Sequence, residues 1–180
     1  MSSKEEEFWN ACYEGNLEKV KELSNQIDDI NWGNPNVDGW TGLHIACRYG
    51  KKEIVEYLIS HPKINVNKEK NDGWTPLFHA CANGYVQIVK ILLKDERVNV
   101  NKEANDGRTP LFIACDNGKE ETVKILFASG REIDTTKKTN ANETAAEIAR
   151  KKGHDQIAKL VDEYAKKPME IILRLRNEMG

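Results

Sequence analysis

The residues of this chain best suited to chemistry are four cysteines, Cys12, Cys47, Cys81 and Cys115, and four histidines, His44, His61, His79 and His154. Thiolates and imidazoles together hold zinc, and a thiol beside an imidazole can act as a nucleophile. Both uses need the groups close in space. The cysteines instead stand 35, 34 and 34 residues apart, with no C-x-x-C. No histidine lies three or four residues from another, His44 and Cys47 are a single i, i+3 pair, and His79 and Cys81, two apart, fall on different sides of a helix. Spacing also leaves open a Cys–His pair across neighbouring segments, Cys47 with His79 for example, and such a pair requires an accessible, activated thiol. The chain has no Gly-rich phosphate loop, no H-E-x-x-H and no G-x-S-x-G. Asn-Asp-Gly at 71–73 and 105–107 lacks the spaced oxygen ligands of a calcium site. The expectation is a protein that is not an enzyme, with no catalytic residue, no cofactor and no metal. A Cys/His enzyme is the least favoured of the functions weighed.

An even interval near 34 marks one structural position recurring in successive units. Aligned on the cysteines, Asp38-Gly39-Trp40-Thr41-Gly42-Leu43 returns as Asp72-Gly73-Trp74-Thr75-Pro76-Leu77 and Asp106-Gly107-Arg108-Thr109-Pro110-Leu111. A second glycine follows each copy, at Gly50, Gly84 and Gly118. Weaker copies flank these three, around Ala11-Cys12 and Gly15 and around Asn142-Glu143-Thr144 and Gly153. Asp-Gly favours a tight turn, because glycine supplies the positive φ. The threonines sit where a helix N-cap belongs, and Pro76 and Pro110 at the first helical position, where a missing N–H costs nothing. The short helix from Thr75 to Asn83 ends at Gly84. A second helix follows, with Ile54, Val55, Leu58 and Ile59 on one stripe, repeated as Ile88, Val89, Leu92, Leu93 and as Thr122, Val123, Leu126, Phe127. Extended segments such as Ile64-Asn65-Val66-Asn67 lead to the next turn. One unit cannot bury its own stripe, so the units must stack. Cysteines beside Ala46, Ala80 and Ala114 are then small packing residues. At about 8–10 Å between packed helices they lie beyond disulfide reach.

Bulk composition agrees with an interaction role. Of 180 residues, 39% are hydrophobic and 31% charged, with 27 Lys and Arg against 29 Asp and Glu for a net charge of −2. No segment concentrates the positive charge that a phosphate-backbone binder needs, so no nucleic-acid partner is expected. Apolar runs such as Ile91-Leu92-Leu93 are far too short to span a bilayer, so no membrane partner is expected either. The start, Met1-Ser2-Ser3-Lys4-Glu5-Glu6-Glu7, has no apolar stretch behind a positive charge. A cytoplasmic protein, or alternatively a nuclear one, is expected, and a monomer.

Asp-Gly-x-Thr-Pro-Leu, the Ala-Cys pair, the following glycine and the Ile-Val-x-x-Leu-Leu helix resemble the ankyrin repeat family, over about residues 5–165. The resemblance implies an all-α solenoid of about five helix-turn-helix repeats with β-hairpin-like turns. The expected domain is 1–167, with repeats at about 5–37, 38–71, 72–105, 106–140 and 141–167, followed by a C-terminal helix at 168–180. That helix is expected to cap the last repeat; a second contact segment or a self-association helix is the alternative. Two departures stand out. The family's Thr-Pro-Leu-His appears as Thr41-Gly42-Leu43-His44 but ends in Phe78 and Phe112 elsewhere, so His44 alone takes the family's hairpin-bonding role. His79 falls on the core-facing position of Ile45, Ile113 and Ile148. It is expected to be buried, neutral and hydrogen-bonded; the alternative is a polar switch linking stability to pH.

The family's members dock proteins on the concave face made by turn tips and short helices. Carried over by position, the resemblance implies partner-binding residues Trp40, Arg48, Tyr49, Trp74, Asn83, Arg108, Asp116 and Asn117. Trp, Tyr and Arg dominate interface hot spots. The competing account has Trp40 and Trp74 simply packing within the stack. The expected function is a protein–protein interaction module, an adaptor, scaffold or inhibitor that occupies a partner protein's surface. An assembly factor or regulatory subunit of a larger enzyme complex is the alternative.

Overall fold

Each unit after the first begins where a threonine stops the extended backbone and the next residue enters a helix, and the first does so at Ser3. The structure, a computed structural model, describes residues 2–180; Met1, the first residue of the expected repeat domain, lies outside them. Eleven helices are present among the described residues: α1 (Lys4–Glu14), α2 (Leu17–Ser24), α3 (Gly42–Arg48), α4 (Lys52–Ser60), α5 (Pro76–Asn83), α6 (Val86–Lys94), α7 (Pro110–Asp116), α8 (Glu120–Ala128), α9 (Ala145–Lys151), α10 (Asp155–Lys166) and α11 (Pro168–Met179). Thr41, Thr109 and Thr144 accept the amides of His44, Phe112 and Glu147, the N-cap bond that satisfies a free helix-start donor. Thr75 holds the same extended conformation, but its hydroxyl is buried without a partner. Pro76 at the first helical position fixes the start there in its place.

Helices of seven to nine residues are marginal alone, so packing must hold them. First helices pack in sequence, α1 on α3, α3 on α5, α5 on α7 and α7 on α9. Second helices form a parallel series, α2, α4, α6, α8 and α10. This is an all-α repeat solenoid. The single β-type feature among the described residues is one isolated antiparallel bridge, Asn34 to Trp40, in the first tip. Between the two series lies a continuous core that includes all four cysteines, Phe78, Leu92, Leu126 and Phe127. The last helix, α11, buries Ile171, Ile172 and Leu175 against α8 and α10.

Asparagines bind consecutive units at the return loops. Asn67 donates its side-chain amide to the Arg97 carbonyl (2.7 Å) and accepts the Asn99 amide (2.7 Å). Asn31 bridges Lys63 and Asn65 in the same way, and Asn101 bridges Glu132 and Asp134. A second series runs through the tips, where Asn71, Asn105 and Asn140 donate their backbone amides to the Asp38, Asp72 and Asp106 carbonyls at 2.9, 3.0 and 2.9 Å. Extended backbone that would otherwise face water unpaired is thereby satisfied from the neighbouring unit. These bonds fix the tips in register, and with them the face the tips present.

Candidate functional site

The tips carry the residues that the repeat pattern singles out. Gly39, Gly73 and Gly107 have φ of 73°, 85° and 80°, and in the fourth tip Asn142 adopts 62° in glycine's place. The residue after each, Trp40, Trp74, Arg108 and Glu143, is thus held at an equivalent point. Trp40 and Trp74 are half-buried rather than free. The Lys70 ammonium lies 5.5 Å from the Trp40 ring centre and 5.7 Å from that of Trp74, and pairs with Asp72. The Arg108 guanidinium lies 5.3 Å from the Trp74 ring and pairs with Asp106 at 2.6 Å. The row is therefore an alternation of indole and cation, Trp40, Lys70, Trp74, Arg108, each cation attracted to a ring face.

Beneath the row sit two histidines. The backbone N–H of Thr41 donates to Nδ1 of His44 (3.2 Å), which makes that nitrogen an acceptor and leaves Nε2–H to donate to the Trp74 carbonyl (3.0 Å). The ring is neutral, and burial lowers its pKa from 6.5 to about 4. In the first unit Trp9 stands in the register of His44, and its indole N–H donates to the Trp40 carbonyl at 2.8 Å. Phe78 and Phe112 carry no such donor. His79 lies 4.3 Å from the Trp40 ring and 5.1 Å from the Trp74 ring, with His44 edge-on at 5.8 Å. Contrary to the hydrogen-bonded histidine expected, neither of its ring nitrogens has a partner. The floor it occupies is built for the isoleucines of the other units and offers ring faces, not acceptors. Burial, with the nearby His44, Lys70 and Arg48 charges, lowers its pKa to about 2.

The C-terminal ends of the first helices form the other half of this face. Arg48 donates to the Asn83 side chain (3.2 Å), whose amide caps the His79 carbonyl (2.7 Å). Asn117 caps Ile113 the same way, and Asp116 pairs with Lys152 at 3.5 Å. Tyr49 is 48% exposed and meets Tyr13, also 48% exposed, edge-on at 4.9 Å. Tyr13 in turn stacks near Trp9 at 6.2 Å. The eight residues carried over by position thus divide. Trp40, Trp74 and Arg108 are tied into the ladder, Arg48 and Asn83 to each other, and Asp116 to Lys152, while Tyr49 and Asn117 are exposed. Pattern reading passes over Lys70, which has no cationic counterpart at Ala104 or Thr139. It also passes over Trp9, which alignment on Cys12 would have placed on His44.

The thiols do not open onto this surface. All four are free and buried, and desolvation pushes each above its ordinary value. A buried neutral thiol is a packing group, the reverse of an activated nucleophile. Among the described residues no three His, Cys, Asp or Glu side chains converge to hold a metal ion, and no helix is long and apolar enough to cross a membrane.

Comparison with known families agrees with the geometry. The family model described as Ankyrin repeats (3 copies) matches the chain over residues 8–104 and 96–170. None of the curated proteins matches the chain.

Proposed function

The chain belongs to the ankyrin repeat family, and from that premise we propose that it works by occupying the surface of a partner protein with the face made by its tips and first helices. Ankyrin repeats are generally protein-interaction modules. The observation that carries the proposal here is the Tyr13–Tyr49 pair, two large aromatic rings about half exposed on adjoining first helices, with Arg48 beside them. Rings of this kind bring large contact area at small entropic cost and are frequent interface anchors. Adaptor, scaffold and inhibitor are all uses of such a face.

The test is affinity capture with quantitative mass spectrometry. Tyr13→Ala/Tyr49→Ala and Arg48→Glu are expected to lose a partner that the unaltered chain and Lys90→Glu/Lys94→Glu, on the second-helix side, both retain. Equal recovery by all four would refute the proposal.

An assembly factor or regulatory subunit is favoured by one observation, on α11. Met169 and Leu173 are 66% and 58% exposed, on the helix that buries Ile171, Ile172 and Leu175. A second contact there predicts that Met169→Asp/Leu173→Asp removes a partner without lowering stability.

A further inference from the structure

We infer that the slot between the third and fourth tips is a recognition pocket for an aromatic side chain, a tryptophan above all, presented by a partner's extended segment. The chain itself shows what this slot accepts. In the first interval Trp40 rests beside a ring of its own unit, His44 at 6.3 Å, on the floor residue of the next unit, His79 at 4.3 Å, and beneath a tip residue of that unit, Lys70. In the third interval the same three positions are Phe112, Ile148 and Thr139. They line an open cavity of 360 Å³ together with Arg108, which stands where the tryptophan would be. Arg108 does not fill it, because its guanidinium is turned back over Trp74 and onto Asp106. The repeat has built an indole seat and left it empty of its own indole.

Charge selects the occupant further. Every charged side chain on the rim is already paired inside the chain: Arg108 with Asp106 (2.6 Å), Lys151 with Glu143 (2.8 Å) and Lys152 with Asp116 (3.5 Å). A carboxylate, phosphate or ammonium would meet no free countercharge. A neutral ring over the apolar Phe112 and Ile148 suits a balanced rim, and burying it removes apolar area from water. One donor is also wanted. The Trp40 and Trp74 carbonyls each receive a ring N–H, whereas the Glu143 carbonyl receives only the Thr139 amide at 3.0 Å. An indole carries one N–H; phenylalanine carries none.

The inference rests on the interaction face proposed above, but its test does not need the partner. N-acetyl-L-tryptophanamide is titrated into the ¹⁵N-labelled 180-residue chain, with N-acetyl-L-leucinamide as control. Saturable shifts are expected in the amides of Phe112, Thr139, Glu143 and Ile148, at least tenfold weaker with the leucine probe. Arg108→Trp, which supplies the missing indole, is expected to weaken probe binding at least tenfold. Should that variant lose spectral dispersion, Thr139→Trp closes the slot from the opposite wall with the same expectation. No shifts, shifts centred on other residues, equal binding of the leucine probe, or unchanged binding in the filled variant would each overturn the inference. Such a failure leaves the face itself standing if the Tyr13/Tyr49 variant still loses its partner.

Discussion

Phe8 occupies the space that Gly42 leaves open: a Cβ on Gly42 would lie 2.9 Å from Phe8 Cε1 and 2.8 Å from Cys12 Sγ. In register, Phe8 stands where later units have Leu43, Leu77 and Leu111, and Gly42 where they have Pro76, Pro110 and Ala145. The larger ring in the first unit explains the smaller residue in the second. Gly42→Pro, which restores the repeat pattern, is therefore expected to destabilise the fold by about 1–3 kcal/mol through overpacking. Phe8→Leu should relieve most of that cost, so urea denaturation of the two single variants and the double variant should show a coupling of about 1 kcal/mol or more.

Acid should unfold the protein through its two buried histidines. Burial is the largest cause of both lowered values; at His44 it is opposed by the bond to the Trp74 carbonyl and by Asp72, and reinforced by Lys70. At His79 it is reinforced by His44, Lys70 and Arg48. Below about pH 6.5 the unfolded chain takes up protons that the folded chain refuses. Stability from this source is complete above that pH. It then falls by about 1.4 kcal/mol per pH unit for each histidine, down to about pH 4 for His44 and further for His79. His79→Ile is expected to raise stability at pH 7.5 by about 1–3 kcal/mol, since it removes two unpaired buried nitrogens. It should also reduce the histidine-linked slope between pH 6 and 5 by about half. Denaturation midpoints at three pH values check both.

The contrast between His44 and His79 shows what a sequence can carry. Position in the repeat was enough to place His44 at a hairpin and His79 in the core, because both follow from a 34-residue register. The absence of a partner for His79 was not legible, since it depends on three rings from two units, Trp40, His44 and Trp74, meeting around it. The tryptophans repeat the lesson. Their spacing put Trp40 and Trp74 on one row, while their partial burial comes from the rings beneath them together with Lys70 and Arg108, whose contribution depends on side-chain direction. The slot beside Arg108 was also beyond reach, because an unfilled volume leaves no mark on a one-dimensional pattern.

Asparagine bridges should be worth more than surface hydrogen bonds of ordinary kind. Asn67→Ala removes two bonds between units at once and leaves the Arg97 carbonyl and Asn99 amide unserved. A loss of about 1–3 kcal/mol is expected. Asn67→Asp should cost a comparable amount, because a carboxylate keeps the acceptor and loses the donor. Thermal and urea unfolding give the values.

Truncation after Lys167 tests the role of α11. It uncovers the faces of α8 and α10 that Ile171, Ile172 and Leu175 cover, and removes the Arg176 bond to the Ala128 carbonyl (2.8 Å). Each such side chain contributes about 1.5–3 kcal/mol when fully buried, so a loss of several kcal/mol is expected. Unchanged stability would make the helix an appendage rather than a cap.

The most direct measurement is site-specific photo-crosslinking in cells, with p-benzoylphenylalanine placed at Tyr49 on the first-helix face or at Lys90 on α6. Position 49 is expected to yield a discrete adduct with another protein, lost when Tyr13→Ala and Arg48→Glu are added, and position 90 none. Adducts from position 90 alone, or an adduct at 49 indifferent to those substitutions, would contradict the assignment of this face to partner binding.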